Sequence, residues 1–184
     1  GEFRQRVRAL EENLGFESGY TEQLILNTSS EDFEVEFIAL HEVGMGGAPC
    51  PLHSGHYTRD RMKTMEEVLR FYHYFSYTPA RTVDSYPDHL TFELLFMAHL
   101  ADRQYQTLAD GGDSQSYLLA QRDFATRNLY SWVGRLAESI EERCKLGFAG
   151  DVAHLLAEWV AFDTHCLMRS AGQILPADRE KAHE

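Results

Sequence analysis

Apolar positions recur at helical spacing through most of the chain. Phe3, Val7, Leu10 and Leu14 fall at steps of four, three and four, which predicts an amphipathic helix ending near Gly15. Thr21 to Ser30 reads as a connector, and its short apolar run Leu24-Ile25-Leu26 fits no single period. Ser29 with Asp32 three residues on is an N-cap pair, opening a helix expected to turn Phe33, Phe37 and Leu40 inward. The run Gly44-Met45-Gly46-Gly47-Ala48-Pro49-Cys50-Pro51 stops that helix, because Gly and Pro suit loops, and the loop continues to about Thr58. From Asp60 to Phe75 a further helix is expected to carry Met62, Met65, Leu69, Tyr72 and Phe75 on one face. Glu66 and Arg70 are spaced for an ion pair on its exposed side.

A second loop, Ser76 to Tyr86, leads into Pro87-Asp88-His89. Pro suits a first helical turn, and Ser85 with Asp88 offers a capping pair. The helix behind it places Leu90, Leu94, Met97 and Leu100 or Ala101 in register. Asp110-Gly111-Gly112-Asp113-Ser114 is a break and the candidate hinge. Two more helices are expected, from about Ser116 to Arg143 and from about Asp151 to Ser170. Their stripes are Tyr117, Gln121, Phe124, Leu129, Trp132 and Leu136, then Val152, Leu155, Trp159, Phe162 and Cys166. No convincing alternating strand and no internal repeat is present, so the expected fold is an all-α, single-domain helical bundle spanning residues 1–184.

Composition narrows the function. The chain has 184 residues, enough for one core, with 17 Lys and Arg against 29 Asp and Glu, a net charge of −12. Without a long basic stretch it is not expected to bind nucleic acid, and an acidic surface is repelled by anionic lipid headgroups. No apolar run is long enough to span a membrane. The start Gly1-Glu2-Phe3-Arg4 has no apolar segment of the secretory kind, and Gly1 in place of Met points to a trimmed beginning. Cys50, Cys144 and Cys166 are odd in number and irregularly spaced, which fits a reducing cytoplasm rather than a disulfide framework.

Several groupings have chemical potential. Cys50, His53 and His56 are zinc-type ligands at workable spacing, but no second Cys/His cluster supplies a fourth ligand. The competing reading is a loop of hydrogen-bonding histidines and a packed thiol. Asp88 beside His89 could orient an imidazole, yet no nucleophile can be placed with them, and an Asp in a first helical turn is favoured by helix electrostatics alone. The carboxylates Glu34, Glu36, Glu42, Glu66, Glu67 and Glu93 do not form the paired Glu-x-x-His repeats of di-iron bundles, since Glu93 stands six residues before His99. Gly44-x-Gly46-Gly47 lacks the strand and the Lys-Ser/Thr of a phosphate loop. Finally, the aromatic patch Phe71-Tyr72-His73-Tyr74-Phe75-Ser76-Tyr77 surrounds a helix end, so most rings are expected in the core and some beside a groove.

Three ordered blocks resemble a known family. Glu36-Phe37 precedes the Gly-rich turn and Pro49-Cys50-Pro51-Leu52-His53-Ser54-Gly55-His56-Tyr57. Asp60-Arg61 precedes Met65-Glu66-Glu67-Val68-Leu69-Arg70-Phe71-Tyr72. Pro87-Asp88-His89-Leu90-Thr91-Phe92-Glu93-Leu94-Leu95-Phe96-Met97 is the third. Together they resemble the redox-enzyme maturation chaperones of the TorD/DmsD/NarJ type, and most of all those serving type II DMSO reductase-family molybdoenzymes. The resemblance implies an all-helical, non-catalytic, cytoplasmic chaperone with no cofactor of its own, acting as a monomer or a domain-swapped dimer. Its partner would be the molybdenum-containing catalytic subunit, gripped through the mature subunit or its twin-arginine signal peptide. Carried over, the contact residues are Pro87, Asp88, His89, Leu90 and Glu93, with Pro51, His53 and Tyr57 across a groove. On that reading Asp88 or Glu93 would meet the arginines, and Phe92, Phe96 and the Phe71–Tyr77 patch the apolar segment.

Overall fold

The computed structural model describes residues 2–24, 29–42, 44, 46–79 and 86–181, with side chains as far as 172. Its α-helices are α1 (Glu2–Leu14), α2 (Ser30–His41), α3 (Arg61–Tyr74), α4 (Leu90–Ala109), α5 (Gln115–Phe124), α6 (Val133–Glu141) and α7 (Gly147–Lys181). Among the described residues no strand forms; a single isolated antiparallel bridge joins His53 and His89. The fold is all-α, as the periodicity predicted. The chain divides into two compact units, Gly1–Leu52 with Trp132–Phe162, and His53–Ser131 with Asp163–Glu184.

In the first unit α1 ends where Gly15 takes φ +63°, the left-handed conformation that closes helices. The turn seats the buried Phe16 against Trp159 and Phe162, with ring centroids 5.5 and 5.2 Å away. Glu11 Oε1 accepts from the Ser18 amide (2.9 Å) and from the Thr21 hydroxyl, and Glu158 accepts from the Ser18 hydroxyl and the Gly19 amide, which fastens the following loop. The predicted cap of α2 is present, with Ser29 Oγ accepting from the Asp32 amide at 3.0 Å. Its inward face agrees with expectation at Leu40, which is buried, and differs in that Glu36 is buried while Phe37 stays 39% exposed. Within Leu24-Ile25-Leu26, Leu24 is buried and the other two lie outside the described residues.

In the second unit Asp60 caps α3 through the Lys63 amide, 3.0 Å away. The apolar face of α3 only partly follows the predicted one: Tyr72 is buried as expected, but Val68 is buried with it while Met62 is 63% exposed. Residues with helical spacing were available on both sides, and the aromatic neighbours decided between them. Those neighbours are on α4, which buries Phe92, Glu93, Phe96 and Leu100 rather than Leu90, Leu94 and Met97. Phe96 has no exposed surface, and its ring meets those of Tyr72, Phe124 and Tyr77 at 4.9, 4.8 and 5.4 Å. Glu66 and Arg70 pair at 3.5 Å on the solvent side, as expected. The break after α4 is a tight turn in which Gly111 takes φ +73° and the Gly112 amide donates to Thr107 O at 2.8 Å.

The helix expected from Ser116 to Arg143 is interrupted. α5 ends at Phe124, one π-turn covers Ala125–Leu129, and α6 begins at Val133. The cause is visible in the stripe itself, which steps five residues from Phe124 to Leu129; a π-turn brings both to the buried side, and both are buried. α7 begins earlier than expected, at Gly147, and no residue from 151 to 164 is exposed. Its most buried positions are Ala153, Val160, Thr164, Leu167 and Ala171, small or branched residues off the predicted stripe. A helix covered on several sides does not show its packing in one stripe.

Truncating the aromatic centre should cost far more than truncating the predicted stripe. Phe96→Ala is expected to lower unfolding free energy by about 3–5 kcal/mol, and Met62→Ala by no more than about 0.5 kcal/mol. Urea titration of both variants checks the assignment.

Candidate functional site

The chain enters the second unit at His53 in extended conformation and then makes a 3-10 turn over Ser54–Tyr57. The Ser54 amide donates to the Asp88 carbonyl at 2.9 Å, the contact that fixes the bridge to His89. Asp88 is fully buried. One carboxylate oxygen accepts from the Gly55 amide at 3.0 Å, and the other pairs with His53 Nδ1 at 3.1 Å. Gly55 is required sterically, since a Cβ there would lie 2.6 Å from Arg61 Cγ and 2.8 Å from Asp88 Oδ2. Below the turn, the Tyr72 hydroxyl donates to Pro87 O at 3.1 Å and ties the aromatic centre to the start of α4.

Asp88 therefore does not cap α4. The cap is His89, whose Nδ1 accepts from the Thr91 amide at 3.2 Å, so its remaining ring proton sits on Nε2. Ser85, the other half of the expected cap, lies outside the described residues. The His53 ring stands 5.0 Å from that of His89, 6.1 Å from Tyr86 and 6.2 Å from His56. The Arg61 guanidinium lies over the Tyr86 ring at 5.0 Å, a cation–π contact. Tyr86 is 59% exposed, so the outward side of this corner is aromatic and imidazole-rich.

Burial alone would raise the Asp88 pKa, but the His53 hydrogen bond, the Gly55 amide and the Arg61 charge outweigh it and hold the carboxyl below its ordinary range. His56 is pushed down, by burial first and then by Arg61 and His53. Burial raises the Tyr72 hydroxyl far above its ordinary value, which keeps it a neutral donor.

Of the residues singled out from sequence, His53, Asp88 and His89 come together directly, Pro87 and Leu90 flank them on the chain, and Tyr57 closes the 3-10 turn half-buried. Pro51 belongs to the first unit. Glu93 is fully buried within α4, so neither it nor Asp88 offers an exposed carboxylate. Cys50 is buried in the first unit, its thiol donating to Ser139 O at 3.2 Å. Among the described residues no group of three or more His, Cys, Asp or Glu side chains is placed to hold a metal, and Cys50, His53 and His56 do not form such a ligand set. Gly55, Arg61, Tyr72 and Tyr86 were missed; the close His53–His56 spacing around a glycine was the one sequence signal of a tight turn.

The aromatic patch is divided. Phe71, Tyr72, Phe75 and Tyr77 contribute to the core, and Tyr74 is 79% exposed. Between α3 and α5 a groove of about 420 Å³ is lined by Phe71, Tyr74, Phe75, Leu119 and Ala120, with Arg70 and Asp123 among its charged residues.

Residues 1–138 match the model of the nitrate reductase delta subunit family. The chain belongs to that family. It is 34% identical over 113 residues to the chlorate reductase assembly chaperone protein of Ideonella dechloratans and, equally, to the selenate reductase assembly chaperone protein of Thauera selenatis. Each match covers 60% of this chain and 58% of the relative, so the chain spans under two thirds of the length of these relatives. It is also 34% identical over 80 residues to the chaperone protein TorD of Vibrio cholerae, covering 44% of this chain and 36% of that one. No solved structure gives a significant match. No helix among the described residues is long and apolar enough to cross a membrane.

Removing the buried carboxylate should leave the Gly55 amide and the His53 ring without their acceptor. Asp88→Ala is expected to cost about 3 kcal/mol with helix content retained. Because the folded-state pKa of Asp88 lies below its ordinary value of 3.8, ionised Asp88 stabilises the fold above that value, and the contribution is lost as pH falls from there through the folded-state pKa. Urea midpoints of wild type and Asp88→Asn should accordingly converge below about pH 4.

Proposed function

We propose that this protein is a dedicated, non-catalytic assembly chaperone in the cytoplasm. It holds the catalytic subunit of a type II DMSO reductase-family molybdoenzyme until its cofactor is inserted, and engages the subunit's twin-arginine signal peptide before export. Family membership and the names of the relatives support the chaperone role. The observation that carries the site is the corner built on Asp88, where a buried carboxylate fixes the 53–57 turn against the start of α4 and leaves Tyr86 and imidazole edges outward. A surface held in shape by its own hydrogen bonds suits recognition of a partner that is itself unfolded or incomplete, because the main ordering on binding is then the partner's.

The chemistry assigns the client contacts differently from a simple carboxylate grip. Tyr86, His89 and His56 offer stacking and hydrogen bonds, and the Phe71–Tyr74–Phe75 groove offers apolar area for the hydrophobic part of a signal segment.

Capture of the cofactor-free catalytic subunit by the immobilised protein tests this reading. Tyr86→Ala with His89→Ala is expected to weaken capture about tenfold or more, the loss of one or two interface anchors, with helix content unchanged. Capture by wild type of neither the subunit nor its signal peptide would overturn the reading.

A further inference from the structure

A second cavity lies wholly in the first unit and takes no part in the Asp88 corner. It measures about 510 Å³ and is lined by Val35, Glu36, Ala39, Leu40, Pro49 and Leu146, with Asp32, Arg143 and Lys145 completing the wall. Its surface is mainly aliphatic, and Val35 is 63% exposed beside it. Glu36 is the unusual member, a carboxylate only 9% exposed. Its Oε1 accepts from the amides of Lys145 and Leu146, the latter at 2.8 Å, and so closes the approach to α7. Its Oε2 has no hydrogen-bond partner among the described residues.

A buried carboxylate oxygen without a donor is costly, and a cationic donor corrects both the missing hydrogen bond and the charge. The two basic residues of the wall do not supply it. Arg143 Nη1 is engaged with Ser139 O at 3.0 Å and Glu142 Oε2 at 2.9 Å, and Lys145 contributes its backbone while its side chain is exposed. Asp32, one turn before Glu36, adds a second negative charge to the wall, in a chain whose net charge is −12.

We propose that this cavity binds a peptide segment in which a basic side chain adjoins aliphatic ones, with the guanidinium or ammonium donating to Glu36 Oε2 and the aliphatic residues seated against Val35, Ala39 and Leu146. The proposal rests on the chaperone reading for its source of peptide and extends it. The basic residues of the client are read at Glu36 in the first unit, whereas both oxygens of Asp88 are already occupied within the protein.

The test titrates the full chain calorimetrically with an arginine–leucine peptide and with its citrulline counterpart, which keeps the shape and removes the charge. Saturable binding to the arginine peptide is expected, about tenfold weaker with citrulline. Glu36→Gln should weaken the arginine peptide by about the same factor, roughly 1.4 kcal/mol, while staying folded, because the amide carbonyl still accepts from the Lys145 and Leu146 amides. Ala39→Trp, at an exposed helical position, should obstruct the cavity and weaken both peptides. No saturable binding by wild type, or binding indifferent to both Glu36→Gln and citrulline, overturns the proposal. If the cofactor-free subunit is still captured in that case, the cavity assignment fails and the chaperone reading stands.

Discussion

A carboxylate with no exposed surface has to be compensated from within, and the way Asp88 achieves this sets the geometry of the second unit. Desolvating an ionised group costs several kcal/mol, so the arrangement holds only if both oxygens are occupied. The Gly55 amide and His53 occupy them, at 3.0 and 3.1 Å. Each demand then propagates. The amide can approach only because residue 55 has no Cβ, the turn closes because Ser54 donates to the Asp88 carbonyl, and α4 must find another cap, which His89 provides. Tyr72, held neutral by its burial, carries the constraint down to the rings around Phe96.

This dependence explains what could be read from the sequence and what could not. Local signals were legible: Ser29 capping α2, a helix opening at about Asp60, the stop at Gly111, and helical periods throughout. Facing was less so, since α3 and α4 carry apolar residues on more than one side and the aromatic neighbours, with Tyr72 inward as expected, chose Val68 over Met62. The role of Asp88 was hidden because its partner Gly55 is 33 residues away, and a Pro-Asp pair at a helix start looks like a cap. Glu36 was more remote still, joined to the Lys145 amide across 109 positions. The Pro-Asp-His block was nonetheless legible as a family feature, and membership of the nitrate reductase delta subunit family agrees with it.

The two buried acids show how one residue class serves two ends. Asp88 is satisfied on both oxygens and shapes a surface of aromatic and imidazole groups. Glu36 is satisfied on one oxygen and lines an aliphatic cavity with the other unpaired. In our account a chaperone for an incomplete subunit uses the first to keep a recognition surface in shape and the second to read charge.

The most direct test of the Asp88 corner is hydrogen exchange at single amides. The account predicts that the Gly55 and Ser54 amides are strongly protected in the native protein and that Gly55 loses that protection in Asp88→Ala, which leaves it no side-chain acceptor, while amides in the middle of α3 exchange as before. Rapid exchange at Gly55 in the unaltered protein, or protection indifferent to the substitution, would contradict it.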